Sequence, residues 1–131
     1  MNGKDIHFFL KDVRDYGGVI DNHSDNHSDD HRVKPGYVYI VFTGVSPHGH
    51  WVVLDLRAKP YFFDSFGRGP SHYGLAHMTY NRKVIQSHDS VVCGIYCIYY
   101  ILNGVKGLQR FGSNLKLNDV WILKWLETVF K

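Results

Sequence analysis

The 131-residue chain is long enough to bury a core of its own, and with 44% hydrophobic and 15% aromatic residues its folding needs no disulfide framework. Fifteen Lys and Arg against 12 Asp and Glu leave a net charge of +3, spread along the chain instead of gathered into a run, so attraction to nucleic acid is permitted and not demanded. The two cysteines, Cys93 and Cys97, would share one helical face, which does not suit a bridge between distant loops. A polar opening from Met1 to His7 and the lack of any apolar run of membrane-spanning length predict no cleavable leader, no membrane partner and a soluble protein in a reducing, intracellular compartment.

In chain order, Ile6, Phe9, Leu10 and Val13 fall at i, i+3, i+4 and i+7, which predicts an amphipathic helix over about 4–15 closed by Gly17 and Gly18. Asp21 to His31 holds a tandem Asp-Asn-His-Ser and almost no apolar residue. Its His23, His27 and His31 would share a face on a helix and invite a metal, but Asp, Asn and Ser are poor helix formers; a solvated loop is expected, with no metal. Tyr37 to Thr43 reads as a buried strand, Gly44 to Gly49 as a turn, His50 to Leu56 as a second strand, Arg57 to Pro60 as a tight connection and Tyr61 to Phe66 as a third strand. If Leu56 faces Pro60 in this hairpin, Asp64 faces Val52 and shares a sheet face with His50, at a diagonal of about 7–8 Å. A one-residue slip would send the two to opposite faces.

Gly67 to Pro70 breaks the sheet. Ser71 to Asn81 is ambiguous, with a short helix expected around Leu75 to Met78, and Lys83 to Gln86 reads as a short edge strand. A buried helix runs from Cys93 to about Leu102, ended by Gly104 and Gly107. Asn118 or Asp119 caps a last helix whose Val120, Trp121, Ile122, Leu123, Trp125, Leu126, Val129 and Phe130 are expected to bury most of its surface. The result is a single α+β domain over 1–131, a central mixed or antiparallel sheet packed by helices.

Cys93 opens the buried helix, where unpaired first-turn N–H groups and the helix dipole favour thiolate over thiol. The bland alternative is a small core residue. A thiol nucleophile needs a base, a group to orient that base and donors for the oxyanion. His50, where a glycine-containing loop opens onto a strand, can be the base. Asp64 can orient it, though it can equally cap the turn that follows. Gln86, seven residues before Cys93, can supply one oxyanion donor and the Cys93 backbone N–H a second. Gly49, Trp51 and Gly94 are candidate walls of a substrate groove, although Trp51 also suits the core. His48, His72, His77 and His88 are competing histidines, read as surface residues.

His50-Trp51, Phe63-Asp64-Ser65-Phe66-Gly67, Gln86 and Cys93-Gly94-Ile95-Tyr96-Cys97, in this order and spacing, resemble the adenovirus protease (adenain) family. More distantly they resemble the SUMO and ubiquitin-like proteases of the same cysteine peptidase clan. The resemblance spans Tyr37 to about Leu102, about half the chain. It implies the fold of that clan, a triad of His50, Asp64 and Cys93, and an oxyanion hole of Gln86 with the Cys93 N–H. It also implies a thiol endopeptidase cutting viral polyproteins or capsid precursors beside small residues such as glycine, in the host cytoplasm or nucleus or in the virion. Cys97 matches a position packed inside the helix.

Adenain has Glu where Asp64 stands, and Asp64-Ser65 with Gly69-Pro70 is similar to the SUMO-protease branch. The family's surface for an activating peptide and for DNA lies mostly in chain that has no counterpart here, so no cofactor is expected to be required. The alternatives are an isopeptidase acting on ubiquitin-like modifiers, a binding module that keeps the fold without turnover, and a small His-rich metal or nucleic-acid binder.

Overall fold

The computed structural model describes residues 3–21, 33–44, 50–87 and 92–130. Among these residues three α-helices and a five-stranded sheet make an α+β fold: α1 (Gly3–Leu10), β1 (Tyr16–Asp21), β2 (Val38–Phe42), β3 (Trp51–Asp55), β4 (Tyr61–Phe63), β5 (Thr79–Tyr80), α2 (Cys93–Gly107) and α3 (Leu115–Val129). The strands lie in sequence order. β2, β3 and β4 pair antiparallel, while β1 joins β2 and β5 joins β4 in parallel, so the sheet is mixed.

Both faces of the sheet are apolar. Val38, Ile40, Val53 and Phe63 point to one side, where they meet Ile6 and Leu10 of α1 and the buried run Cys93–Ile101 of α2. Val41, Val52 and Phe62 point to the other, where Tyr73, Leu75, Met78 and Tyr80 cover them. Alternate residues of a strand face opposite ways, so short continuous apolar strands such as Val38–Phe42 fit a two-sided burial. Polar bonds fix α2 to β3 at the end away from Cys93: Tyr100 donates its hydroxyl proton to Asp55 (2.7 Å), and Arg57 bonds both Asp55 and the Ile101 carbonyl.

Several expectations change. α1 stops at Leu10, and Gly17 and Gly18 lie in β1 instead of closing the helix. Their small size has a different use: Gly17, where a Cβ would collide with the Tyr39 ring, is the unpaired residue of the irregularity in the β1–β2 register, and Gly18 after it has φ of 113°. The short helix expected near Leu75 is a 3-10 turn at Pro70–Tyr73, which Pro70 opens and Gly74 closes in the left-handed region. Lys83 to Gln86 is no strand; the fifth strand is Thr79–Tyr80. Gly104 interrupts α2 with φ of 73°, and Gly107 ends it.

α3 begins earlier than expected, capped by Asn114, whose side chain accepts from the Leu117 N–H (3.2 Å). Within the helix only Asn118 and Ile122 are fully buried, while Leu117, Val120, Leu123 and Val129 stay exposed. One face suffices for packing, because Trp121 and Trp125 set their edges against Tyr99. The expected loop at 21–31 falls, after Asp21, outside the described residues, as do 45–49 of the expected turn. No helix among the described residues is long and apolar enough to cross a membrane.

Candidate active site

The β3–β4 hairpin has the register read from the sequence: Asp55 faces Tyr61, Leu54 faces Phe62 and Val53 faces Phe63. Continued one step past the paired residues, it sets Asp64 opposite Val52. His50 and Asp64 both lie just beyond the strand ends, and His50 Nε2 meets Asp64 Oδ1 at 2.5 Å. By strand alternation these two belong to the sheet face away from α2. Only at the sheet's end can they reach a group that α2 carries on the other side.

Cys93 is that group. It is buried, 7% exposed, at the first turn of α2. Its sulfur accepts from the Trp51 N–H (3.5 Å) and is close enough to the His50 side chain to help raise the His50 pKa. With Nε2 engaged by Asp64, Nδ1 is the nitrogen left for the sulfur. Burial by itself would lower the pKa of His50. Hydrogen bonds to Asp64 and Cys93, with the charges of both, outweigh it and raise the value to about 9. Stacking of the His50 ring on Phe66, with centroids 4.4 Å apart, restricts its rotation further.

Asp64 is fully buried and saturated with donors. Oδ1 also accepts from the Phe66 N–H (2.9 Å) and Oδ2 from the Tyr73 hydroxyl (2.6 Å), while Arg68 Nε lies 3.5 Å from Oδ2. Asn81 accepts from the Asp64 N–H and donates to its carbonyl, which fixes the backbone. Burial would raise the carboxyl pKa, but hydrogen bonds and charge from His50, and the bonds from Tyr73 and Phe66, hold it below the ordinary carboxylate range. The Tyr73 hydroxyl is pushed up by burial and by the Asp64 charge, so it stays protonated as a donor.

Gln86 is fully buried, and the segment around it is clamped from three sides. The Ser65 carbonyl accepts from the N–H groups of Ile85 (2.9 Å) and Gln86 (3.1 Å), and the Ser65 hydroxyl donates to Gln86 Oε1. Tyr96, three residues along α2 from Cys93, donates its one hydroxyl proton chiefly to Asp119 (2.7 Å), with the Ile85 carbonyl also near the hydroxyl (3.2 Å). From α3, Asn118 donates to the same carbonyl (3.1 Å), and Asp119 accepts from the Ser87 N–H (3.4 Å). Thus Asn118 and Asp119, expected as helix caps, instead hold the Gln86 segment beside α2.

Of the groove candidates, Gly94 is buried in the first turn of α2, and Trp51 is half-buried with its ring 4.7 Å from Phe42. Gly49 lies outside the described residues, as do His48 and His88, while His72 and His77 are exposed. Cys97 is fully buried, its thiol donating to the Trp51 carbonyl (3.3 Å) and its pKa pushed well up by burial. Tyr73 and Asn81 have no role in the sequence reading, and Ser65, Phe66 and Tyr96 enter it only as members of motifs, without a role. For Tyr73 a signal existed, since Pro70 and Gly74 bracket a turn that ends on it.

Among the described residues no group of three or more His, Cys, Asp or Glu is arranged to hold a metal ion; His23, His27 and His31 lie outside them. Chemically, the arrangement joins a thiol, an imidazole able to exchange its proton, an anion that orients the imidazole, and a buried amide on a braced segment. The chain matches no family model, and no curated protein matches it.

Proposed function

We propose that the chain is a cysteine peptidase with His50, Asp64 and Cys93 as its triad. The observation that carries this reading is one imidazole bonded to a buried carboxylate, Nε2 to Oδ1 at 2.5 Å, and held protonated in part by Cys93, which lies at a helix start. In the proposed reaction the Cys93 thiolate attacks the scissile carbonyl, and the His50 imidazolium gives its proton to the leaving amine. Asp64 stabilises the imidazolium and keeps the ring in one tautomer. The Cys93 N–H and the Gln86 amide N–H serve the oxyanion. Water, deprotonated by His50, then releases the acyl group and regenerates the thiol.

The resemblance to adenain narrows the proposal to an endopeptidase cutting viral polyprotein or capsid-precursor bonds beside small residues. A second reading, an isopeptidase acting on ubiquitin-like modifiers, is favoured by Asp64-Ser65 in place of the Glu of adenain. A peptide-library cleavage assay with wild type and Cys93→Ala tests the proposal. Cleavage by wild type alone supports it, and preference for substrates ending in Gly-Gly selects the second reading. If wild type cuts nothing and Cys93 reacts with iodoacetamide no faster than a free thiol, the chain is a binding module and the peptidase reading fails.

A further inference from the structure

We infer that Ser65 is a positioning residue for the Gln86 amide, deciding which of its two ends faces the oxyanion; this rests on the peptidase reading above. A glutamine amide keeps nearly the same shape when turned by 180°, yet the turn exchanges a donor for an acceptor. Only the donor end stabilises an oxyanion; the carbonyl end would repel it. The choice must therefore come from a hydrogen-bond partner.

Ser65 is that partner. It is fully buried, its backbone carbonyl takes the N–H groups of both Ile85 and Gln86, and its hydroxyl donates to Gln86 Oε1. A hydroxyl can also accept, so an amide turned the wrong way would still find an atom to bond. The cost lies in the hydroxyl proton, whose hydrogen bond among the described residues is the one to Gln86. Turning the amide strands that proton in the interior, where an unpaired donor is costly. The clamp also explains a coincidence of sequence. Asp64 orients the base and Ser65, the next residue, orients the oxyanion donor, so both are referenced to a single turn at the end of β4.

The test is a double-mutant cycle on the peptide that wild type cleaves best, with kcat and KM measured for wild type, Ser65→Ala, Gln86→Ala and the double variant. Gln86→Ala is expected to lower kcat on the order of 10² to 10³. Ser65→Ala should lower kcat roughly tenfold or more with little change in KM, and the double variant should equal Gln86→Ala alone. A purely structural Ser65 would cost the same factor with or without Gln86, and that result overturns the inference, as does full kcat in Ser65→Ala. If Ser65→Ala fails to fold by circular dichroism, Ser65→Cys, of similar shape and weaker as a donor, takes its place in the cycle under the same criteria. Should wild type cleave no peptide while staying folded, the peptidase reading itself falls, an outcome distinct from either result above.

Discussion

Cys93 and Cys97, one turn apart on α2, bond to opposite ends of a single residue: the Trp51 N–H points at the Cys93 sulfur, and the Cys97 thiol points at the Trp51 carbonyl. Two chemically identical side chains thereby have different situations. Cys97 is fully buried with its thiol pKa pushed well up, whereas Cys93 touches His50. Iodoacetamide should modify Cys93 in the folded protein and spare Cys97 until denaturant is added, with mass spectrometry reading the site. Cys97→Ala should leave labelling of Cys93 intact while lowering stability by about 1–2 kcal/mol. Equal labelling of both cysteines in native protein would contradict this assignment.

The raised pKa of His50 makes stability depend on pH. Its value is about 9 in the folded chain against an ordinary 6.5. The contribution is therefore full below the ordinary value and is lost as pH rises through about 9. Asp64 works in the opposite sense: its depressed pKa stabilises the fold at pH above the ordinary carboxylate value, and that is lost as pH falls through the folded value. Urea unfolding of wild type and His50→Gln across this range should give a stability gap that closes as pH passes about 9. A gap constant from neutral pH to well above 9 would show that His50 is not held protonated. Removing one cause in Cys93→Ala should lower the His50 value, as followed by NMR of labelled histidine.

Tyr73, whose ring stacks beside His50 with centroids 6.3 Å apart, should tune the same imidazole through Asp64. Its hydroxyl donates to Asp64 Oδ2 while His50 takes Oδ1. Tyr73→Phe keeps the ring and removes the donor, leaving more of the carboxylate charge for His50, so the His50 pKa should rise further. The lost bond to a charged acceptor should also cost about 1.5–3 kcal/mol of stability. Asp64→Asn should reverse the electrostatic effect, lowering the His50 pKa. On the peptidase reading it should also lower kcat on the order of 10⁴.

In α3, two asparagines near the start should behave differently. Asn114→Ala removes an exposed cap and should cost about 1 kcal/mol, with no effect on turnover. Asn118→Ala removes a buried bond to the Ile85 carbonyl and a partly buried one to the Gly112 carbonyl and should cost about 2–4 kcal/mol. Because one of those bonds braces the segment beside Gln86, Asn118→Ala should, on the peptidase reading, also lower kcat at constant KM in a temperature range where it remains folded. Thermal unfolding and steady-state kinetics on the two variants make the comparison.

What local pattern controls was legible in the sequence: the register of the β3–β4 hairpin, the start of α2 at Cys93 and the burial of Cys97. The His50–Asp64 contact follows from that register, because a short connection leaves few ways to pair two strands. Pairings between distant parts of the chain were not legible. β1 and β5 join in parallel at the sheet's two edges, and the glycines of β1 serve the Tyr39 ring and a bulge instead of a helix end. Likewise, the bonds from Asn118 and Asp119 to Ile85 and Ser87 span more than thirty residues, while their local pattern is that of a helix cap. Ser65 and Tyr73 act through partners 21 and 9 residues away. No spacing rule connects such residues before the chain is folded.

The order of groups along the chain has a temporal consequence. His50, Asp64, Ser65, Tyr73 and Gln86, with all five strands, belong to the first 87 residues, while Cys93 and both helices that brace Gln86 come afterwards. A ribosome therefore makes His50, Asp64 and Gln86 before it makes Cys93. The Cys93 thiol meets the Trp51 N–H only once α2 has left the exit tunnel and docked on the sheet. The surroundings of the Cys93 sulfur therefore report the docking of α2 on the sheet.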